Sequence, residues 1–228
     1  FVSSPDYETK NYYSATVTAS DGTNSTTQDI AITITDIDDT APVFTSSSSF
    51  NAAENQTAIG TITATDVDTD DSSITFSVSG TELSITSSGV LTFVNAPDYE
   101  TKSSYSATVT ASDGTNSSTQ DVTVSVTNVN DNTPSITSSA TFNAAENQTA
   151  IGTITATDGD GDTLTFSLSG TDSSSMSINS SSGVLVFNSA PDYETKSSYA
   201  VTVAISDGTN TTTQNITVNV VNLNDNSP

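Results

Sequence analysis

The chain has 228 residues and a net charge of -24, and it contains no cysteine, histidine or arginine. Disulfide staples, thiol or imidazole chemistry and soft-metal sites are therefore excluded, and so acidic a surface without a guanidinium repels nucleic acid. Hydrophobic residues make up only 32%, which predicts small cores, and no apolar run approaches the roughly 18 residues needed to span a membrane.

The first predicted element is the phrase "SPDYETKNYY" at residues 4–13, which returns as "APDYETKSSY" at 96–105 and at 190–199. All three lysines, Lys10, Lys102 and Lys196, lie inside it. The phrase is followed by "SDGTN", beginning at Ser20, Ser112 and Ser206, and then by an acidic or Asn/Asp-rich linker. Residues 1–43 hold only these later parts of a repeating unit. At Phe50 a new unit opens with "FNAAENQTAIGTITATD", and the same words recur at Phe142. Intervals of 92 and 94 residues mean whole domains in tandem. The predicted boundaries are 1–43 for the second half of one domain, then 44–134 and 135–228 for two complete ones.

Within 44–134 the strands read clearly. "SITFSVSG" puts Ile74, Phe76 and Val78 on one face. In "YSATVTAS", Tyr105, Ala107, Val109 and Ala111 alternate with polar residues, and Val122, Val124 and Val126 do so in "DVTVSVTNV". Successive side chains of a strand point to opposite faces, so this period of two predicts half-buried strands with threonine on the wet side. No stretch has a helical period. The class is all-β: tandem immunoglobulin-like antiparallel sandwiches in a linear array, with roughly seven strands and about 100 residues each.

The acidic residues gather at strand ends and in linkers. One unit offers Glu54; Asp66 and Asp68; Asp98 and Glu100; Asp113; and Asp131. The next offers Glu146; Asp158 and Asp160; Asp192 and Glu194; Asp207; and Asp225. Two carboxylates about 4 Å apart repel by roughly 4 kcal/mol at an effective dielectric near 20. Clusters kept in register between units point to a cation, and oxygen-only ligands select a hard one, calcium before magnesium.

This order of motifs resembles the cadherin repeat, with its glutamate, Asp-x-Asp, Asp-x-Glu, Ala-x-Asp and Asp-x-Asn-Asp-Asn linker, and the resemblance covers essentially the whole chain. It implies calcium ions at the junctions between consecutive domains. At the first junction the implied ligands are Asp6, Glu8, Asp38, Asp39, the Thr40 carbonyl, Asp66, Asp68 and Asp113. At the second they are Glu54, Asp98, Glu100, Asn130, Asp131, the Asn132 carbonyl, Asp158, Asp160 and Asp207. A third junction is prepared by Glu146, Asp192, Glu194, Asn224 and Asp225. The linker's first aspartate is Asn128 and Asn222 here, a position expected to act through its backbone. The tryptophan that some adhesive members exchange between partners is absent.

Other readings are weaker. Asp98 and Glu100 are too close in sequence, and lack the aromatic platform, for a glycosidase pair. "DGDGD" at 158–162 begins like an EF-hand, but the twelfth position is Ser169, so Asp70, Asp71 and Asp162 are expected to be solvated turn charges. Tyr7, Tyr99 and Tyr193 are expected to pack the lower rim of each sandwich, and the lysines to pair locally with Glu8, Glu100 and Glu194. The Asn24, Asn116 and Asn210 sequons are taken as chance products of composition. Residues 1–43 would expose an uncovered face. They are expected to be a window cut from a longer array, the alternative being strands supplied by another copy in a filament.

The expected function is architectural: a secreted or surface-anchored bacterial adhesin or extracellular filament, stiffened by calcium and not an enzyme. Its partners are neighbouring repeats of the same polypeptide and other copies in a filament. The alternative is a calcium-dependent protein- or carbohydrate-binding module.

Overall fold

The computed structural model describes residues 1–68 and 73–225, which fall into two compact units, Phe1–Thr127 and Asn128–Pro228. The expectations for Asp70 and Asp71 lie outside the described residues. Alternating valine, isoleucine and threonine make the regular elements strands. Among the described residues there is no α-helix, and so no helix long and apolar enough to cross a membrane.

The first unit begins with a hairpin, β1 (Tyr12–Ser20) and β2 (Ser25–Thr33). A full sandwich follows: β3 (Val43–Phe44), β4 (Ser49–Ala53), β5 (Ala58–Thr61), β6 (Ala64–Thr65), β7 (Thr75–Val78), β8 (Leu83–Ile85), β9 (Val90–Phe93), β10 (Ser104–Ser112) and β11 (Ser117–Thr127). Its sheets run β4-β11-β10-β7 and β5-β9-β8, with a separate β3-β6 pair. The second unit repeats this plan with β12 (Ser135–Ile136), β13 (Thr141–Ala145), β14 (Ala150–Thr153), β15 (Ala156–Thr157), β16 (Thr165–Ser169), β17 (Met176–Ile178), β18 (Val184–Phe187), β19 (Ser198–Ser206) and β20 (Thr211–Val221). Its sheets are β13-β20-β19-β16 and β14-β18-β17, beside a β12-β15 pair.

Ladders are antiparallel apart from one parallel pair per sandwich, β4 with β11 and β13 with β20. The expected seven ribbons become nine segments because the first two are each broken. The first leaves its β3-β6 pairing and crosses to join β11. The second breaks beside Ile62, where the Ile62 N–H donates to the Gly89 carbonyl at 2.8 Å. Gly89 has φ +88, and a Cβ there would meet the Ile62 oxygen at 2.2 Å, so only glycine closes the approach.

The core lies between the sheets. Val109, Val122 and Val124 are fully buried, whereas their hairpin counterparts Val17, Ile30 and Ile32 are 49%, 39% and 40% exposed. The same apolar face is thus core in a complete sandwich and open in the hairpin.

The lysines depart from the expected pairing. Lys10, Lys102 and Lys196 lie over the rings of Tyr13, Tyr105 and Tyr199 at 4.4, 4.3 and 4.6 Å. Tyr105 and Tyr199 in turn meet Phe93 and Phe187 edge-on. Lys102 and Lys196 also form ion pairs with Glu82 and Asp172, outside the motif.

Lys196 and the Ala200 N–H hold the Asp172 pKa below its ordinary value, against the opposing effect of burial. A depressed carboxylate stabilises above the unfolded pKa and loses that contribution as pH falls through the folded one. Asp172→Asn should therefore cost about 1–3 kcal/mol at neutral pH, and the difference should shrink below about pH 4. Urea unfolding at both pH values checks it.

Candidate metal centres

Each PDYETK phrase folds into a turn closed by its own aspartate. Asp6 Oδ1 accepts from the Glu8 and Thr9 N–H groups at 3.1 and 3.2 Å, and Oδ2 from the Thr9 hydroxyl at 2.8 Å. Asp98 and Asp192 make the corresponding bonds to Thr101, and to Glu194 and Thr195. The turn aims the tyrosine N–H at a buried carboxylate: Tyr99 donates to Glu54 Oε2 at 2.7 Å, and Tyr193 to Glu146 Oε2 at 2.9 Å. Glu146 Oε1 also accepts from the Leu223 N–H at 2.6 Å.

Glu54 and Glu146 are only 3% and 2% exposed. They enter the site because the next residue, Asn55 or Asn147, takes a left-handed φ of 62° or 61°, a conformation asparagine tolerates. The tyrosines themselves differ: Tyr99 packs on the first core, and Tyr193 is 37% exposed.

The Asp-x-Asp segment holds the linker. Asp68 Oδ2 accepts from the Asp39 and Thr40 N–H groups at 3.1 and 2.6 Å. Asp160 Oδ2 does the same for Asp131 and Asn132 at 3.0 and 2.8 Å, while Oδ1 takes the Asn132 amide at 2.8 Å. A Cβ on Gly159 would lie 2.8 Å from that Asn132 side chain. The first unit, with the smaller Thr40 in the linker, carries Val67 at the corresponding place.

Within single units, and among the described residues, carboxylate groups with ligand oxygens within 4.8 Å of one another are Glu8, Asp36 and Asp68; Glu54, Asp98 and Glu100; Asp158, Asp160 and Asp162; and Glu146, Glu194 and Asp225. Of the expected residues, Glu8, Glu54, Asp68, Asp98, Glu100, Glu146, Asp158, Asp160, Glu194 and Asp225 belong to these groups. Asp6 and Asp192 stay outside them, their oxygens bonded within the turn. Asp36 was missed because both later linkers have asparagine there.

Asp162 requires a correction. It is no solvated turn charge: it joins Asp158 and Asp160, and burial first, then the charges of Asp158, Asp160 and Asp207, raise its pKa.

Among the described residues, Asp68 Oδ1 and Oδ2 of Asp113, Asp158, Asp162 and Asp207 are buried without a hydrogen-bond donor. A buried anionic oxygen left so is costly unless something positive faces it. The Glu8 carboxylate is favoured by its own backbone N–H, yet desolvation together with Asp6 and Asp68 raises its pKa to about 7. For Asp68 and Asp207 burial works upward too, but hydrogen bonds from the Thr40 side chain and the Thr40 and Asp39 N–H groups, and from the Asn210 and Thr209 N–H groups, outweigh it and lower both pKa values. Hydrogen bonds thus favour the anionic forms of Asp68 and Asp207, while crowding and burial oppose those of Glu8 and Asp162. With only oxygens as donors, the residues fit a hard divalent cation.

The family model "Cadherin domain" matches residues 48–127 and 139–221. The chain is 30% identical to the Protocadherin-like wing polarity protein stan of Drosophila melanogaster, over 98% of this chain and 7% of that protein. It is also 30% identical to human Protocadherin gamma-A10, over 98% of this chain and 27% of that protein. Among solved structures it resembles mouse Cadherin-23 EC22-24 at TM-score 0.75 and 26% identity, covering 97% of this chain and 78% of that one. It matches the Protocadherin gammaB7 EC3-6 cis-dimer structure at TM-score 0.77 and 27% identity, over 99% and 61%. The chain spans less than a third of the length of these two sequence relatives.

Proposed function

The chain belongs to the cadherin family, and from that membership we propose that it is a calcium-stiffened structural segment of a secreted or surface-anchored adhesin or extracellular filament. As part of a cadherin ectodomain it is extracellular and not an enzyme. Cysteine-free, Ser/Thr-rich, nearly identical repeats favour a bacterial surface protein. The proposed domains are 1–43, 44–134 and 135–228, with neighbouring repeats and other copies in a filament as partners.

One observation carries the reading. Glu8 from a PDYETK turn, Asp36 from a linker and Asp68 from the following sandwich bring their oxygens within 4.8 Å of one another. Asp6, Asp38, Asp39, Thr40, Asp66 and Asp113 complete that proposed first site. By repetition, Glu54, Asp98 and Glu100 with Asn130, Asp131, Asn132, Asp158, Asp160 and Asp207 form a second. Glu146, Asp192, Glu194, Asn224 and Asp225 prepare a third.

Calcium supplies positive charge shared by oxygens of consecutive repeats. The chain's own turns and linkers keep those oxygens facing one another. Without the ion, repulsion of roughly 3–4 kcal/mol per close pair drives adjacent repeats apart, at an effective dielectric near 20. Small-angle scattering in calcium and in chelator tests this. A rigid, elongated profile in calcium should give way to a flexible one in chelator, and identical profiles would contradict it.

A further inference from the structure

Each linker is held by the sandwich that follows it, and one side chain does this in both places. In the first unit Asn116 Nδ2 donates to the Asp38 carbonyl at 3.3 Å and to Asp38 Oδ1 at 3.2 Å. In the second unit Asn210 Nδ2 donates to Asn130 Oδ1 at 3.1 Å and to the Asn132 carbonyl at 3.4 Å. The same asparagine's backbone N–H donates to the loop aspartate, Asp113 or Asp207, at 2.6 Å.

Two residues further on, Ser118 Oγ donates to the Pro42 carbonyl and Thr212 Oγ1 to that of Pro134. The linker is thereby fastened from one side by the SDGTN loop and its strand, and from the other by Asp68 or Asp160.

The hairpin shows what the asparagine is not needed for. Its loop closes in the same way, with Asp21 Oδ1 accepting from the Thr23 and Asn24 N–H groups at 2.9 and 2.7 Å, while Asn24 is exposed. Loop closure therefore does not require a docked linker. The carboxamides of Asn116 and Asn210 are part-buried and spent on linker carbonyls and side chains, a use their sequons do not announce.

We propose that Asn116 and Asn210 are positioning residues, clasps that fix each linker to the repeat behind it before any cation arrives. Half of each junction site is then pre-formed, so an incoming ion has to recruit only the preceding repeat's carboxylates. An alanine there leaves the linker to be ordered by the ion itself, and affinity falls. A side chain acting on a metal through other ligands changes affinity by about 10- to 100-fold in comparable sites. The affinity part of this rests on the cation reading above; the docking part does not.

The test is amide hydrogen exchange by NMR on the full chain in chelator, followed by a calcium titration. In Asn210→Ala, exchange of the Asp131 and Asn132 N–H groups should rise at least about tenfold, while the core amides of Val203 and Val218 stay unchanged. The calcium midpoint at that junction should weaken by about tenfold or more. Asn210→Asp, which sets an acceptor against acceptors, should do the same or worse.

Asn116→Ala, read at the Asp39 and Thr40 amides, gives an independent second site should the first variant fold poorly. Unchanged linker exchange in a folded variant overturns the clasp, as does equal acceleration of linker and core. A wild-type chain that binds no calcium removes the cation reading and leaves the clasp to be decided by exchange alone.

Discussion

Supplying about 10 mM calcium to the chelated chain is expected to raise its midpoint of thermal unfolding by about 10–20 °C. Extracellular calcium modules have dissociation constants of about 10⁻⁴ to 10⁻³ M. A ligand at about 100 times its dissociation constant stabilises the folded state by about 2.7 kcal/mol per site. Each kcal/mol moves the midpoint of a domain near 100 residues by about 4–8 °C. The sign follows from the carboxylates: Glu8, Asp36 and Asp68, far apart in the sequence, are crowded only in the folded chain. Unfolding relieves that crowding in chelator, and an ion relieves it without unfolding. Magnesium, which prefers tighter octahedral geometry and keeps its waters, should give a smaller rise. Calorimetry in the three conditions decides, and a calcium shift under about 2 °C would count against the sites.

Asp160→Ala is expected to weaken calcium binding at its junction by about 100-fold, equivalent to about 2.7 kcal/mol. Asp160 has two duties. Its oxygens take the Asp131 and Asn132 N–H groups and the Asn132 amide, and its carboxylate is a member of the Asp158–Asp162 cluster. Losing it removes a ligand and loosens the linker that presents others. The freed Asp131 N–H is exposed and that of Asn132 only part-buried, so water replaces much of the lost acceptor and folding of the sandwich should suffer by only about 1–2 kcal/mol. Asp121→Ala is the control. That aspartate sits on the wet face of β11, bonded to Thr108, and its loss should leave calcium affinity unchanged. Isothermal titration of the two variants separates ligand loss from general loss of negative charge.

The sandwiches were legible because alternation leaves little freedom: Val109, Val122 and Val124 must face inward if Thr108 and Thr123 face water. The parallel β4-β11 pairing was not, since period two says which face is buried and nothing about which neighbour a strand joins. The break after β5 was hidden too, because it depends on the close approach of Gly89 to Ile62, residues far apart in the sequence.

The acidic positions stood out by repetition, and the same habit of comparison concealed Asp36, whose counterparts are Asn128 and Asn222. Asp162 was misread because an EF-hand template was the wrong frame. Its pKa is raised by burial first and then by the charges of Asp158, Asp160 and, least, Asp207, and burial cannot be read from a sequence template. The sequence suggested Asp6 and Asp192 as ligands, and what it could not show is that their oxygens also accept from the turn that presents Glu8 and Glu194.

The most direct measurement is a crystal of the chain grown in calcium, with anomalous differences collected at a wavelength where calcium scatters strongly. Discrete peaks should appear between Glu8, Asp36 and Asp68, and beside Asp158, Asp160 and Asp162, at about 2.3–2.6 Å from their oxygens. Flat maps at both places, with those carboxylates turned outward into water, would contradict the account.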